Sequence, residues 1–318
     1  MFNFALIGVG GYIAVRHLAA IKETGNNLLA SVDVNDSVGV IDQYFPNAEF
    51  FLEIERFERF IEKNRRHEPK NKIDFISICS PNHLHDAHIR LALRNNANAI
   101  CEKPIVLNPW NLDLLKELES EGEKRVYTIL QLRHHPKLVK FHEQALKNKG
   151  KQKKNITLTY ITGRGKWYDF SWKGDFHKSG GIATNIGIHF FDLMTWLYGK
   201  QQTSEVHISQ ANKMSGFLEL EDAYVSWFLS IDMNDIPDNM KGKKRTFRSI
   251  LIDDNELEFS EGFTDLHTVV YQNILEGHGF GLEDARPSIQ IVHQLRNQKV
   301  TDCKFIMHPL AKKILNIK

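Results

Sequence analysis

Cysteine is scarce: the chain of 318 residues has three, Cys79, Cys101 and Cys303. An odd, sparse set without Cys-x-x-Cys spacing argues against a disulfide framework and against a structural zinc site. His83, His85 and His88 stand close together, but no carboxylate-rich helix accompanies them, so no metal site is expected. No apolar run reaches the roughly eighteen residues of a transmembrane helix. The amino terminus opens on the strand-like Met1–Ile7, with no basic region, apolar segment and cleavage site in succession, so no signal peptide is expected. These absences together fit a reducing cytoplasm. Net charge is +2, which excludes the strong field of a nucleic-acid or anionic-membrane binder. Two basic clusters, Lys147–Lys154 and Lys241–Arg248, carry glycine and polar residues and read as solvated turns. No repeat or low-complexity tract is visible.

What is present is an ordinary globular composition, 42% hydrophobic and 25% charged, in a chain longer than one core usually serves. The first third alternates strand and helix. Strands are expected at Phe4–Ile7, Leu28–Val32, Ile73–Cys79, Ala97–Cys101 and Arg125–Gln131. Helices are expected at Ile13–Thr24, Phe51–Lys63, His83–Arg94 and Pro109–Gly122. Such alternation implies a parallel, doubly wound sheet. Beyond residue 125 the strands run consecutively: Ile156–Thr162, Glu205–Ala211, Ala223–Ile231, and Arg248–Ile252 with Leu257–Ser260. That pattern belongs to an antiparallel sheet, with helices at Pro136–Lys147, Gly187–Tyr198, Thr264–Glu276 and Asp284–Asn297 over one face. The expected fold is α/β: a doubly wound domain over 1–125, then an α+β domain over 126–318 with a large, open, mainly antiparallel sheet. The second domain also offers a C-terminal segment to pack back on the first.

Three groups of residues carry chemistry. The first strand runs into Gly8-Val9-Gly10-Gly11-Tyr12-Ile13-Ala14. Glycines there permit a tight turn and let backbone amides approach a pyrophosphate at a helix N-terminus. The third position of the usual fingerprint is Ile13, not glycine. Asp33 ends the second strand, where an acid accepts hydrogen bonds from ribose hydroxyls and repels a 2′-phosphate, favouring NAD over NADP. Ser80-Pro81-Asn82-His83-Leu84-His85 follows the next strand and should face the same crevice. Ser80 and Asn82 serve equally as helix caps, and His85 as a surface histidine. In Cys101-Glu102-Lys103-Pro104, a lysine stands at the carboxyl edge of a sheet, where open α/β folds bind ligands, and the proline favours an extended Lys103. The plain alternative is a Lys103–Glu102 pair at a strand end. Asn185-Ile186-Gly187-Ile188-His189 is the third group. A lone histidine on an apolar helix is more often a core residue, but Gly180, Gly181, Asn185 and Gly187 around it favour a site.

These motifs, in this order, resemble the glucose–fructose oxidoreductase, inositol dehydrogenase and MocA family. His17 after the glycine turn, and Asp192 after His189, belong to the likeness, which covers nearly the whole chain. A narrower resemblance rests on Arg16-His17-Leu18, Gly25-Asn26-Asn27-Leu28, Asn35-Asp36-Ser37-Val38-Gly39, Cys101-Glu102-Lys103-Pro104, Gln131-Leu132-Arg133 and Gly163-Arg164-Gly165-Lys166-Trp167-Tyr168. It is similar to bacterial UDP-N-acetylglucosaminuronate 3-dehydrogenases of the WlbA and WbpB type. The resemblance implies a Rossmann domain, NAD as cofactor, and oxidation of the C3′ hydroxyl of the sugar nucleotide during synthesis of a diacetamido uronic acid for lipopolysaccharide O-antigen. It further implies a homo-oligomer, with a tetramer favoured, and a PLP aminotransferase acting on the product.

The roles implied are these. Lys103 and His189 are catalytic: a lysine ammonium can stabilise developing alkoxide charge, a histidine can take the hydroxyl proton, and the sequence leaves open which of the two finally holds it. Cofactor contacts fall to Gly8, Gly10, Gly11, Tyr12, Ile13, Asp33, Ser80, Asn82, His85, Glu102, Lys103 and Gln131. Substrate contacts fall to Lys103, Arg164, Lys166, Tyr168, Trp172, Lys178, Asn185 and His189, the basic residues pairing with phosphate or carboxylate. Many family members carry an aspartate where this chain has Asn185. An amide cannot act as a carboxylate base, so proton handling shifts toward His189 and Lys103. A dehydrogenase of an uncharged sugar or polyol would not need Arg164 and Lys166. A non-catalytic NAD-binding regulator would be expected to have lost Lys103 or His189.

Overall fold

The computed structural model describes residues 1–241, 245–257, 259, 265–302 and 305–317. Cys303, Thr264, positions 258 and 260 of the expected strand Leu257–Ser260, and the middle of the basic cluster Lys241–Arg248 lie outside them. The chain divides into two compact units, Met1–His135 with Gly262–Arg286, and Pro136–Glu261 with Pro287–Lys318.

The first unit opens with β1 (Asn3–Ile7), α1 (Ala14–Glu23), β2 (Asn27–Val32), α2 (Ile41–Tyr44), β3 (Glu49–Phe51) and α3 (Ile54–His67). It continues through β4 (Phe75–Ile78), α4 (His85–Arg94), β5 (Asn98–Cys101), α5 (Pro109–Ser120) and β6 (Val126–Thr128). The strands form one sheet in the order β3-β2-β1-β4-β5-β6, every neighbouring pair parallel. The order reverses between β1 and β4, which places a ligand crevice at the carboxyl ends of these two strands. Phe51, expected to open a helix, instead ends β3 opposite Val32. Its ring meets Phe57 and Phe60 of α3 at 6.1 and 5.4 Å. Aromatic packing outweighs the helical spacing there. The strand expected over Arg125–Gln131 stops at Thr128, and Gln131–His134 form a 3₁₀ turn.

The second unit begins with α6 (Pro136–Lys147), β7 (Lys154–Thr162), α7 (Trp167–Phe170), α8 (Phe176–Ser179) and α9 (Ile188–Tyr198). A single π-helical turn over Ala183–Gly187 leads into α9. Then come β8 (Gln201–Ser209), β9 (Lys213–Leu220), β10 (Ala223–Ser230), β11 (Thr246–Ile252) and β12 (Asn255–Glu256). The sheet order is β12-β11-β7-β10-β9-β8. Its pairs are antiparallel except β7 with β10, which run parallel. Strand β9 has no counterpart among the sequence expectations, because Gly216 interrupts its apolar pattern. That glycine has a packing reason: a Cβ there would stand 2.7 Å from the Trp227 ring and collide with the Glu205 carbonyl.

Three further helices follow: α10 (Leu266–Leu275), α11 (Leu282–Asn297) and α12 (Pro309–Leu315). Helix α10 packs on α1. Its Tyr271 and Ile274 join Phe4, Leu6, Leu18, Ile21 and Ile100 in the core of the first unit. In the second unit Trp227 and Phe228, adjacent on β10, are both fully buried, so both faces of that strand are covered. Phe191 of α9 meets Trp227 edge-on at 5.4 Å. On the other face Met307 and Ala311 close over Ile161, Ile208 and Phe228. Helices were expected over one face, Thr264–Glu276 among them; the helix there, α10, belongs to the first unit instead, and α12 covers the second face of this sheet.

Candidate active site

The glycine turn has the shape its sequence implies. Gly8 holds φ at +86°, and a Cβ on it would lie 2.7 Å from the Cys79 carbonyl carbon and the Ser80 nitrogen. Only glycine fits there. The Gly10 N–H donates to Asp33 Oδ2 at 2.9 Å, and a Cβ on Gly10 would be 3.1 Å from that carboxylate. Asp33 is thereby fixed at the end of β2, its Oδ1 also accepting the Asn35 N–H at 2.9 Å. Tyr12 is 93% exposed at the mouth of the turn, one residue before Ile13. On the 3₁₀ turn after β6, Gln131 Oε1 is a buried acceptor with no hydrogen-bond partner among the described residues. A cradle that a side chain would fill, an anchored acid and an unanswered acceptor fit a dinucleotide.

Two expected cofactor contacts are otherwise engaged. His85 is neither at the surface nor directed to a ligand. It is buried, with Nδ1 at 2.7 Å from the Pro104 carbonyl and Nε2 at 2.8 Å from the Ser80 carbonyl. The ring stands between the loop after β4 and the loop after β5; burial lowers its pKa, and the neutral imidazole donates its single N–H to one of the two carbonyls. Glu102 is also buried. Its Oε1 accepts from His17 Nε2 at 3.0 Å and from His267 Nε2 at 3.1 Å. Its Oε2 accepts the Lys103 backbone N–H at 3.2 Å. Asn82 is buried, and Ser80 Oγ lies 2.8 Å from His88 Nδ1. Burial pushes the His88 pKa down to about 4. Lys103 is partly exposed, and the Lys103–Pro104 peptide is cis.

In the second unit, Gly180 and Gly181 have φ of +79° and +74° and lead into the π-helical turn that holds Asn185. Such turns recur at functional sites. Asn185 is buried, and its Nδ2 donates to the Tyr168 phenol oxygen at 2.6 Å. His189, on the first turn of α9, is partly exposed between the buried Ile188 and Phe190. Tyr168 borders a cavity of about 560 Å³, together with Lys173, Phe176, Ile182, Met214 and Arg296. Burial lowers the pKa of Lys173, whose ammonium stands 4.3 Å from the Trp172 ring centroid. Arg164 and Lys166 are exposed on the segment before α7. Lys178 is exposed as well, 3.9 Å from Asp175. The cavity thus brings Tyr168 together with Lys173 and Arg296, two cations absent from the sequence-based set. Arg164, Lys166, Trp172 and Lys178 are not among its lining residues. Lys173 sits in the same aromatic and basic stretch and was within reach of sequence reading; Arg296, on α11, carried no local signal.

A parallel sheet whose order reverses beside a glycine turn, with an acid at the end of β2, defines a dinucleotide-binding protein of the Rossmann class. The chain belongs to the oxidoreductase family with an NAD-binding Rossmann fold and a C-terminal alpha/beta domain, whose two profiles match residues 2–129 and 154–231. Among solved structures it is similar to the WlbA (WbpB) dehydrogenase of Thermus thermophilus, with 52% identity and a TM-score of 0.93 over 97% of this chain and 99% of that one. That enzyme has been crystallised in complex with NAD and α-ketoglutarate, and with NAD and UDP-GlcNAcA. Among curated proteins, the glucose-6-phosphate 3-dehydrogenase of Bacillus subtilis is 24% identical over 308 residues, 92% of this chain and 72% of that protein. YteT of the same organism, an oxidoreductase by description, is 27% identical over 132 residues. Those residues are 41% of this chain and 31% of YteT.

Proposed function

We propose that this protein oxidises the C3′ hydroxyl of UDP-N-acetylglucosaminuronate to a ketone, with NAD as acceptor. The observation that carries the reading is the 52% identity, over nearly the full length of both chains, to a dehydrogenase whose complexes hold NAD and UDP-GlcNAcA. The glycine cradle, Asp33, Lys103, Asn185 and His189 all stand in this sequence to support it. Asp33 selects NAD, because a 2′-phosphate would meet its carboxylate.

Loss of hydride from a secondary alcohol requires that the hydroxyl proton leave and that charge on the oxygen be stabilised. Bound NAD supplies the hydride acceptor. The Lys103 ammonium stabilises the developing alkoxide. His189 takes the hydroxyl proton, since an imidazole is basic near neutral pH. Asn185, held by Tyr168, offers an amide to a sugar hydroxyl but cannot act as a carboxylate base. Arg164, Lys166, Lys178 and Trp172 are proposed to meet the diphosphate, carboxylate and ring of the substrate. Tyr12, Ile13, Ser80, Asn82 and Gln131 complete the proposed cofactor contacts.

The α-ketoglutarate complex of the Thermus enzyme supports regeneration of NAD by reduction of that keto acid. A 3-keto sugar nucleotide is the substrate class of a PLP aminotransferase, which we place next in the sequence, in cytoplasmic synthesis of an O-antigen sugar. A homotetramer is proposed from the resemblance. No helix among the described residues is long and apolar enough to cross a membrane. The reading is tested by incubating the protein with UDP-N-acetylglucosaminuronate, NAD and 2-oxoglutarate, and following the 3-keto product by mass. Turnover of a free sugar or polyol instead would favour the alternative substrate class.

A further inference from the structure

Lys103 stands next to a buried polar network that no step of the proposed reaction uses. Five residues of the first unit take part through their side chains, each residue at most 8% exposed. Ser77 Oγ is 2.6 Å from the Tyr271 oxygen. Tyr271 is 2.7 Å from His17 Nδ1. His17 Nε2 and His267 Nε2 converge on Glu102 Oε1. The remaining Glu102 oxygen accepts the main-chain N–H of Lys103. The network joins β4, α1, α10 and the end of β5, so residues distant in sequence meet at the one next to the lysine.

We propose that Glu102 is a positioning residue: a buried carboxylate, held ionised by His17 and His267, that fixes the main chain of Lys103 for hydride transfer. The proton assignment follows from the geometry. If both histidines donate Nε2–H to Glu102, His17 Nδ1 is left as an acceptor. Tyr271 then donates its O–H to Nδ1, and its oxygen accepts from Ser77 O–H. The bonds from Ser77 through Tyr271 and His17 then run in one direction to Glu102, which carries the negative charge. Taking up one proton reverses the Tyr271 and Ser77 hydroxyls, so the network titrates as a unit.

The surroundings agree with the anionic form. The two histidine hydrogen bonds hold the Glu102 carboxyl well below the usual range against the opposing effect of burial. Burial lowers the His17 pKa. The other titratable groups that feel Glu102 are Cys79 after β4, Cys101 on β5, His85 on α4 and Tyr271 on α10. Both thiols are pushed up, chiefly by burial, and Tyr271 is raised by burial, so all three stay neutral. The three ligand atoms of His17, Glu102 and His267 lie within 4.8 Å of one another, close enough for an ion. The hydrogen-bond distances and the complete proton assignment account for them without one.

The test has two arms. In unliganded protein with ¹⁵N-labelled histidine, His17 is expected as the neutral Nε2–H tautomer at pH 7 and His267 as an Nε2–H donor, assigned with His17→Gln and His267→Gln. Imidazolium or Nδ1–H signals at both positions, or one zinc per chain on metal analysis, would overturn the assignment. Kinetically, Glu102→Gln keeps the shape and removes the charge. It is expected to lower kcat roughly tenfold or more through misplacement of Lys103, with KM for the sugar nucleotide changed by less than about twofold. The part of the acid limb of the wild-type pH–kcat profile that comes from protonation of the network should disappear with it, leaving the part set by His189. A lower Tm with an unchanged limb and unchanged kcat would reduce the network to core packing. The kinetic arm rests on the proposed dehydrogenase activity and the NMR arm does not, so failure of either reading can be told apart.

Discussion

Asn185 donates to the phenol oxygen of Tyr168 at 2.6 Å, linking the π-helical turn before α9 to the short helix α7. The two residues lie 17 apart in sequence, and both are buried. Tyr168 thereby sets the direction of the amide proposed to meet a sugar hydroxyl. Tyr168→Phe removes this acceptor while keeping the ring. Losing one such bond costs about 1 kcal/mol. The expected outcome is a KM for the sugar nucleotide raised roughly fivefold, with kcat little changed. Steady-state kinetics on the purified variant checks this.

Lys103→Ala removes the cation assigned to the developing alkoxide. Deleting one such group lowers kcat by about 10²–10³. Affinity for NAD should change little, as the glycine turn and Asp33 are untouched. Calorimetric titration with NAD beside turnover measurement separates the two. Retained activity would remove Lys103 from the mechanism.

Gly8→Ala asks an L-residue to hold φ at +86° with its Cβ 2.7 Å from backbone atoms of Cys79 and Ser80. The left-handed conformation alone costs roughly 1–2 kcal/mol, and the loop after β4 must also shift. Reduced thermal stability together with weaker NAD binding is expected. Differential scanning fluorimetry with and without NAD reads both.

His308 caps α12: its Nδ1 accepts the Leu310 N–H at 3.1 Å, and Nε2 faces Thr159 Oγ1 at 2.9 Å. Protonation would remove that acceptor, and burial holds the folded pKa down to about 3. An unfolded histidine titrates near 6.5. The unfolded chain therefore binds more protons between these values, and stability, complete above about pH 6.5, falls as pH drops through that window. His88, held down to about 4, acts in the same direction. His308→Asn retains a capping acceptor without the titration, so its loss of stability on acidification should be shallower than wild type, by up to about 1.4 kcal/mol per pH unit. Denaturant unfolding at several pH values measures it.

Much of the fold was legible because its signals are local. Alternating strands and helices announced the parallel sheet, and Gly8, Gly10 and Asp33 announced the cradle. What escaped depends on distant partners. Gly216 hid β9, since its reason is the Trp227 ring packed against it. His85 looked like a site residue because its sequence neighbours suggested a crevice, whereas its ring is buried between two backbone carbonyls. Glu102 looked like a cofactor ligand because it precedes Lys103. Its histidine partners come from positions 17 and 267, and no local pattern pairs residues so far apart. The same holds for Tyr271, which reaches His17 from α10.

The substrate assignment is tested most directly by supplying purified protein with UDP-N-acetylglucosaminuronate, NAD and 2-oxoglutarate, beside parallel reactions with free N-acetylglucosamine, glucose 6-phosphate and inositol. The expected result is a 3-keto product from the sugar nucleotide alone, lost with Lys103→Ala. Turnover of an uncharged sugar or polyol, with none of the UDP-linked uronate, would contradict the account.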